Sequence, residues 1–266
     1  DHNQKKVDMA SATDSVTDNV EVKTISSNDV EITWIKDNVG DHLMPLNLFK
    51  DIPQRLIDSL GINDGIPSSM SAFLVKRDSI QILFDTGKGN PDSRLIPNLK
   101  SLGVDPDDIQ YIYLTHFHGD HIGGMMHGDT VVFPHAEIYA SKVEYEAWMA
   151  MPDQNKDMVR KTMSAYKEHL HLFEFNDTLP GHVVALNAVG HTPGHTVFEV
   201  GDFLIVGDLV HGAALQIADP DICASYDMNP KSAVVTRRHF LEYARTHHLV
   251  MAGMHLPVPA FWSWNK

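Results

Sequence analysis

Within six residues, His116, His118, Asp120 and His121 offer imidazole and carboxylate groups to a metal, in the stretch Thr115-His116-Phe117-His118-Gly119-Asp120-His121. Such ligands suit Zn, Fe, Mn or Co better than a metal that prefers thiolate. With 17 His in 266 residues some clustering is expected by chance, but a solvated loop has no need of an Asp among three His. The heptapeptide follows the largely apolar Tyr111-Ile112-Tyr113-Leu114 and precedes Gly123-Gly124, so strand, loop and helix start are expected in that order. A strand delivers His116 and His118 to one side, because residues two apart share a face. The glycine-bounded loop then folds Asp120 and His121 back beside them.

Other apolar runs also end in potential ligands. His182–Ala188 leads into Val189-Gly190-His191, Phe203–Val206 into Gly207-Asp208, and Leu249–Ala252 into Gly253-Met254-His255. Strand ends hold side chains rigidly, which a metal site requires.

The elements that must position these residues follow from the pattern of the chain. Residues 1–19 are polar and aperiodic, and a flexible leader is expected there, followed by a single domain over 20–266. Val20–Ile25 and Val30–Ile35 pair around a turn at Ser26–Asp29. Residues 40–69 mix apolar side chains with Pro and Gly, and read as a loop with a short helix lying over a site mouth or against a sheet. Ala72–Val75 and Ile80–Phe84 form a hairpin running into Asp85-Thr86-Gly87, and a helix over about Arg94–Leu102 follows. Short strands are expected at Val131–Phe133 and Glu137–Ala140. Ser141 and Glu144 make a capping box that opens a helix through about Met151, and a second helix covers about Lys156–His169. Strands return at His182–Ala188, Thr196–Val200 and Phe203–Val206, then a helix over about Ser232–His247 and a final strand at Leu249–Ala252. Strands, helices, strands, helix and strand, roughly duplicated about the middle, predict an α/β (α+β) fold: a four-layer αββα sandwich of two β-sheets packed face to face with helices outside.

Composition narrows the partners. Lys+Arg 21 against Asp+Glu 35 gives a net charge of -14, which disfavours nucleic acid and anionic membrane surfaces. A small, weakly charged substrate is expected. The single cysteine, Cys223, excludes an internal disulfide and a Cys-based zinc finger. No run approaches the roughly 18 apolar residues of a membrane span. The chain starts at Asp1 without Met and stays polar to about Asn19, as expected after removal of an export signal. A periplasmic or secreted location is then expected, and a cytoplasmic one otherwise.

THFHGDH, GHTPGH at 190–195, GD at 207–208 and GMH at 253–255 resemble, in order and spacing, the metallo-β-lactamase superfamily over about residues 70–257. The resemblance implies that His116, His118 and His191 hold one divalent metal ion, that Asp120, His121 and His255 hold a second, and that Asp208 bridges them. Zinc is the expected metal, with Co, Mn or Fe also suited. It further implies catalysis by a hydroxide shared between the metals, with Asp208 and Asp120 as catalytic carboxylates, Asp120 orienting the hydroxide or protonating the leaving oxygen. Asp85 resembles the family's supporting aspartate, bonded to a ligand His; a turn-forming Asp is the plain alternative. His195 reads as structural, shaping the turn around Pro193.

Thiolate-zinc lactamases need Cys where Asp208 stands, all-His lactamases lack the bridging carboxylate, and flavo-diiron relatives carry Glu in place of His118. Glyoxalase II has a basic C-terminal extension, whereas this chain stops eleven residues after His255. The segments at 139–148, 207–227, 231–244 and 255–260 resemble the branch of N-acyl-homoserine lactone lactonases and methyl parathion hydrolase. Lactone ring opening is therefore the expected activity, with phosphotriester hydrolysis the alternative and a β-lactamase or non-catalytic metal protein more distant. Trp148 falls where that group has a pocket-wall tryptophan; a core aromatic is the alternative. His211 stands where many lactonases have a tyrosine that contacts the substrate carbonyl, and can donate to the same oxygen. Met44, Leu46, Phe49, Met70 and Trp148 are the expected lining for an acyl chain. The resemblance and the apolar loop at 44–60 also imply a homodimer.

Overall fold

The structure, a computed structural model, describes residues 20–264; the leader expected at 1–19 lies outside them. Seven strands form the first sheet in chain order: β1 (Val22–Ser27), β2 (Val30–Lys36), β3 (Ser71–Arg77), β4 (Ile80–Phe84), β5 (Tyr111–Tyr113), β6 (Glu137–Ser141) and β7 (Leu170–Phe173). Neighbours from β1 to β4 are antiparallel and those from β4 to β7 parallel. The second sheet is equally sequential: β8 (Thr178–Leu179), β9 (Val183–Asn187), β10 (Thr196–Val200), β11 (Phe203–Gly207), β12 (Val250–Gly253) and β13 (Phe261–Trp262). Only its β11–β12 pair is parallel.

Alternation along the strands divides the core into layers. Trp34, Phe73, Val75, Phe84, Tyr113, Phe198, Ile205 and Val250 meet between the sheets. Their neighbours Leu74, Leu83 and Ile112 point the other way, against helices α2 (Leu95–Ser101), α4 (Lys142–Met149) and α5 (Asp153–Ala165). Leu204, Val206 and Met251 do likewise against helix α7 (Pro230–Thr246). Strands covered on both faces carry apolar residues at nearly every position, which is why Phe203–Gly207 is buried throughout. The expected αββα sandwich is the observed fold. Among the described residues no helix is long and apolar enough to cross a membrane.

The differences are local. The first hairpin turns more tightly than expected, with Ser27 paired to Val30 and Asn28 at φ 54°. Residues 170–173, to which the sequence pattern assigned no element, form edge strand β7 in parallel with β6. Phe133 leaves the strand pattern, because its amide donates to the Tyr166 hydroxyl at 3.1 Å inside the core. Leu249–Ala252 is not the final strand, since β13 pairs with it from beyond His255. Residues 40–69 contain a ribbon, His42–Met44 with Ile66–Ser68, and helix α1 (Gln54–Leu60). Two further short helices are α3 (Gly119–Ile122) and α6 (Ala213–Ala218).

Candidate metal centre

All of the proposed ligands emerge at one end of the two sheets. β5 stops at Tyr113, earlier than the pattern implied, and the chain beyond it is tied to both sheets. Leu114 N–H donates to the Tyr139 carbonyl at 3.0 Å, and the Thr115 carbonyl accepts from Thr196 N–H at 2.9 Å. His118 lies before α3, and Asp120 and His121 lie within it. That short helix packs against residues 86–88: a Cβ on Gly123 would come within 2.0 Å of the Lys88 carbonyl oxygen, and one on Gly124 within 2.0 Å of that of Thr86. The Gly-Gly pair is required by this backbone contact rather than by a special dihedral angle.

The structure brings together all seven residues expected as ligands, in two groups. His116, His118, His191 and Asp208 form one; Asp120, His121, Asp208 and His255 form the other, with the ligand atoms of each group within 4.8 Å of one another. His118 Nδ1 and His191 Nε2 are 3.0 Å apart, near the roughly 3.3 Å expected for two nitrogens on one tetrahedral zinc. His191 Nε2 and His116 Nε2 lie 3.2 and 3.4 Å from Asp208 Oδ2. In the second group, His121 Nε2 is 3.1 Å from Asp208 Oδ1, and His255 Nε2 is 3.1 Å from both Asp208 and Asp120. Buried His116 Nε2 and Asp208 Oδ1 have no hydrogen-bond partner. Burying such atoms unpaired costs about 1–3 kcal/mol each, and a divalent cation held between them removes that cost. The residues present therefore fit a pair of metal ions.

Behind the ligands, acceptors fix which ring nitrogen faces inward. His121 Nδ1 bonds Asp85 at 2.6 Å, His191 Nδ1 bonds Asp227 at 2.9 Å, and His255 Nδ1 bonds the Ser69 carbonyl at 2.9 Å. Thr115 gives its hydroxyl proton to Asp85 at 2.7 Å, so its oxygen accepts from His116 Nδ1 at 2.8 Å. Four rings thereby present Nε2, while His118 presents Nδ1. Asp85 also accepts the Thr115 amide at 2.8 Å, so it is more than a turn residue. His195 holds the Ala188 carbonyl with Nδ1 and accepts the Asp208 amide with Nε2, each at 3.0 Å. It positions the backbone of Asp208 and does not reach the cluster itself.

Burial drives His116 well below the usual histidine range and lowers His118 to about 4, so both rings are neutral at pH 7, as metal ligation requires. Burial works against ionised Asp208, yet His121, His255 and His116 around it hold its carboxyl well below the usual range. Burial likewise opposes charge on Asp120, and His121 and His255 again outweigh it. Both carboxylates are therefore anionic at neutral pH.

The cluster forms the floor of a cavity of about 750 Å³ whose walls include Met44, Pro45, Leu48, Met70, Met158 and Tyr226. Of the expected lining, Met44 and Met70 are there. Trp148 is not a wall residue: it is buried among the apolar side chains under the first sheet, edge-on to His118 at 5.8 Å. Phe49 is buried in a satellite core with Ile57, Ile66 and Leu215, and Leu46 packs against it. An apolar loop over a cavity must also pack on its own underside, and these two side chains do that. His211 lines the cavity, its Nε2 3.4 Å from Asp208 Oδ2 and its Nδ1 buried without a partner.

Sequence reasoning missed Asp227 and misread Glu144. Asp227 bonds both His191 and Arg237, but nothing in its spacing separates it from Asp219 or Asp221. Ser141 does cap α4, accepting the Glu144 amide at 3.1 Å. The capping box is not closed, because the Glu144 carboxylate turns inward. It accepts Phe117 N–H at 2.9 Å, Gly194 N–H at 2.8 Å and Trp148 Nε1–H at 3.0 Å, clamping the loop of His116 and His118 to that of His191. Removing it leaves three donors without their acceptor, and a supporting group of this kind typically contributes 10–100-fold to metal affinity. Glu144→Ala is accordingly expected to weaken zinc binding about 10–100-fold, with Glu144→Gln in between. Competition against a chromophoric chelator measures this, and unchanged affinity in a folded variant contradicts the clamp.

Residues 66–255 match the profile of the metallo-beta-lactamase superfamily. Lactamase-like protein aptB of Emericella nidulans is 30% identical over 188 residues, 65% of this chain and 51% of that protein. An N-acyl homoserine lactonase of Bacillus thuringiensis is 32% identical over 109 residues, 41% of this chain and 39% of that protein. The matched regions thus span about half or less of these relatives. Solved structures align over nearly the whole chain. The hydrolase AbOPH superposes with a TM-score of 0.83 at 28% identity, covering 93% of this chain and 94% of its own. AidC, a dizinc quorum-quenching lactonase in complex with a hexanoyl-homoserine product, gives 0.82 at 26% identity, covering 90% and 92%. With its fold, its histidine and aspartate cluster and most of its length matched, this chain is a member of the metallo-β-lactamase superfamily.

Proposed function

We propose that this hydrolase opens the lactone ring of N-acyl-homoserine lactones, and so quenches signalling that uses them. The observation that carries this reading is the junction of two ligand groups at Asp208 on the floor of a cavity walled by methionine, leucine and proline. The floor suits ester hydrolysis, and the walls suit an acyl chain, with unbranched methionines able to adapt to its length. The likeness to AidC supports the same substrate class.

His116, His118 and His191 would hold one divalent cation and Asp120, His121 and His255 the other, with Asp208 common to both. Zinc is the metal we assign, in keeping with the dizinc AidC. Such a pair supplies a nucleophile at neutral pH by lowering the pKa of water, and polarises the carbonyl. Asp120 is the more open of the two carboxylates, its side chain 24% exposed against 3% for Asp208. It orients the attacking water, takes its proton, and returns that proton to the ring oxygen as the bond from the acyl carbon to that oxygen breaks. His211, stacked on His255 and facing the cavity, meets the negative charge that develops on the carbonyl oxygen.

The direct assay is hydrolysis of short- and long-chain acyl-homoserine lactones beside methyl paraoxon by metal-loaded protein, each with a chelated control. A kcat/KM above roughly 10⁴ M⁻¹s⁻¹ on a lactone, abolished by chelator, is expected of a native substrate. Faster turnover of the triester, or none of either, contradicts the assignment. His211→Phe is expected to keep its metal and lose about 100-fold in kcat; full turnover in that variant removes His211 from the mechanism.

A further inference from the structure

Among the residues that line the cavity, Lys88 is the one Lys or Arg, in a chain whose net charge is -14. Its backbone is held on two sides. Its N–H donates to Asp37 Oδ2 at 2.9 Å, and Asp37, itself buried, also accepts Leu95 N–H at 3.1 Å. Its carbonyl rests against Gly123 of the metal loop, where a Cβ would come within 2.0 Å. The backbone of Lys88 is thus fixed beside the metal loop, and the residue lines the cavity. Its side chain is exposed, and no carboxylate pairs with its ammonium among the described residues. His42 lines the same cavity, and its buried Nδ1 has no hydrogen-bond partner. An unpaired ammonium and an unsatisfied imidazole nitrogen thus line one cavity whose walls above the ligand cluster are otherwise largely apolar.

We propose that Lys88 and His42 form a carboxylate subsite, and that the enzyme prefers lactones whose acyl chain ends in a carboxylate over neutral chains of equal length. This rests on the lactonase reading. With the reacting carbonyl at the ligand cluster, an acyl chain lying along the wall can bring a terminal carboxylate to the exposed Lys88 side chain. Lysine is a compact, strongly hydrated point charge on a flexible stem, so it can meet a carboxylate without a fixed approach angle.

The test compares N-adipoyl- with N-hexanoyl-homoserine lactone, which differ in a terminal carboxylate. The metal-loaded wild type is expected to favour the adipoyl compound by about two- to fivefold in kcat/KM, the range of an exposed ion pair. That ratio should shrink as salt is raised, fall to about one in Lys88→Met and invert in Lys88→Glu. Calorimetric binding of the two ring-opened products separates the subsite from the chemistry. Tighter adipoyl binding in wild type that is lost in Lys88→Met supports the subsite even if neither lactone is hydrolysed. An equal preference in wild type and Lys88→Met, by rate or by binding, overturns it and leaves the lactonase reading standing.

Discussion

One carboxylate stands within 3.4 Å of five histidine rings: Asp208 faces His116, His121, His191, His211 and His255. Taking that carboxylate out of water is unfavourable by several kcal/mol, and the arrangement is stable only if positive charge converges on it. Two divalent cations held by the histidines would supply it. Because the carboxylate belongs to both ligand groups, its position sets the separation of the two sites. Everything around it serves to hold it still: Gly207 ends β11, and His195 receives the Asp208 amide.

The scaffold that maintains this cluster is a double sheet whose strands end at one rim. A domain's net stability is only about 5–15 kcal/mol, so a buried polar site must be offset by an extensive apolar interior. The layer between the sheets, with Trp34, Phe73, Phe84, Tyr113, Phe198 and Phe203 fully buried, fills that role at about 1.5–3 kcal/mol for each large side chain. Metal affinity and fold stability meet at the supports. Asp85, Thr115, Asp227 and the Ser69 carbonyl each hold a ring nitrogen of a ligand, so loosening any of them costs both.

Much of this was legible in the chain. Short, nearly continuous apolar runs marked the strands that bury one face between the sheets and the other under helices, and the proposed ligands stood just past the ends of those runs. The seven proposed ligand positions could be named because THFHGDH, GHTPGH, GD and GMH resemble the superfamily's motifs in order and spacing, and the fold gathers those residues in one place. What escaped was set by tertiary contacts that leave no local trace. Glu144 satisfies the spacing of a capping box, but three unpaired donors from two loops and a tryptophan draw its carboxylate inward. Trp148 follows it into the core because its indole N–H finds Glu144 there. Phe49 and Leu46 pack on their own loop, since residues 40–69 must bury a face before they can cover a cavity. Asp227 and Lys88 have ordinary neighbours in sequence, and only the fold brings them to the site.

The claim on which the account depends is that Asp208 joins two metal sites. Reconstitution with Mn(II), followed by elemental analysis and electron paramagnetic resonance, tests it most directly. The account predicts two ions per chain with an exchange-coupled spectrum in the wild type, and loss of both in Asp208→Ala. A single ion in the wild type, or two coupled ions retained by Asp208→Ala, would contradict it.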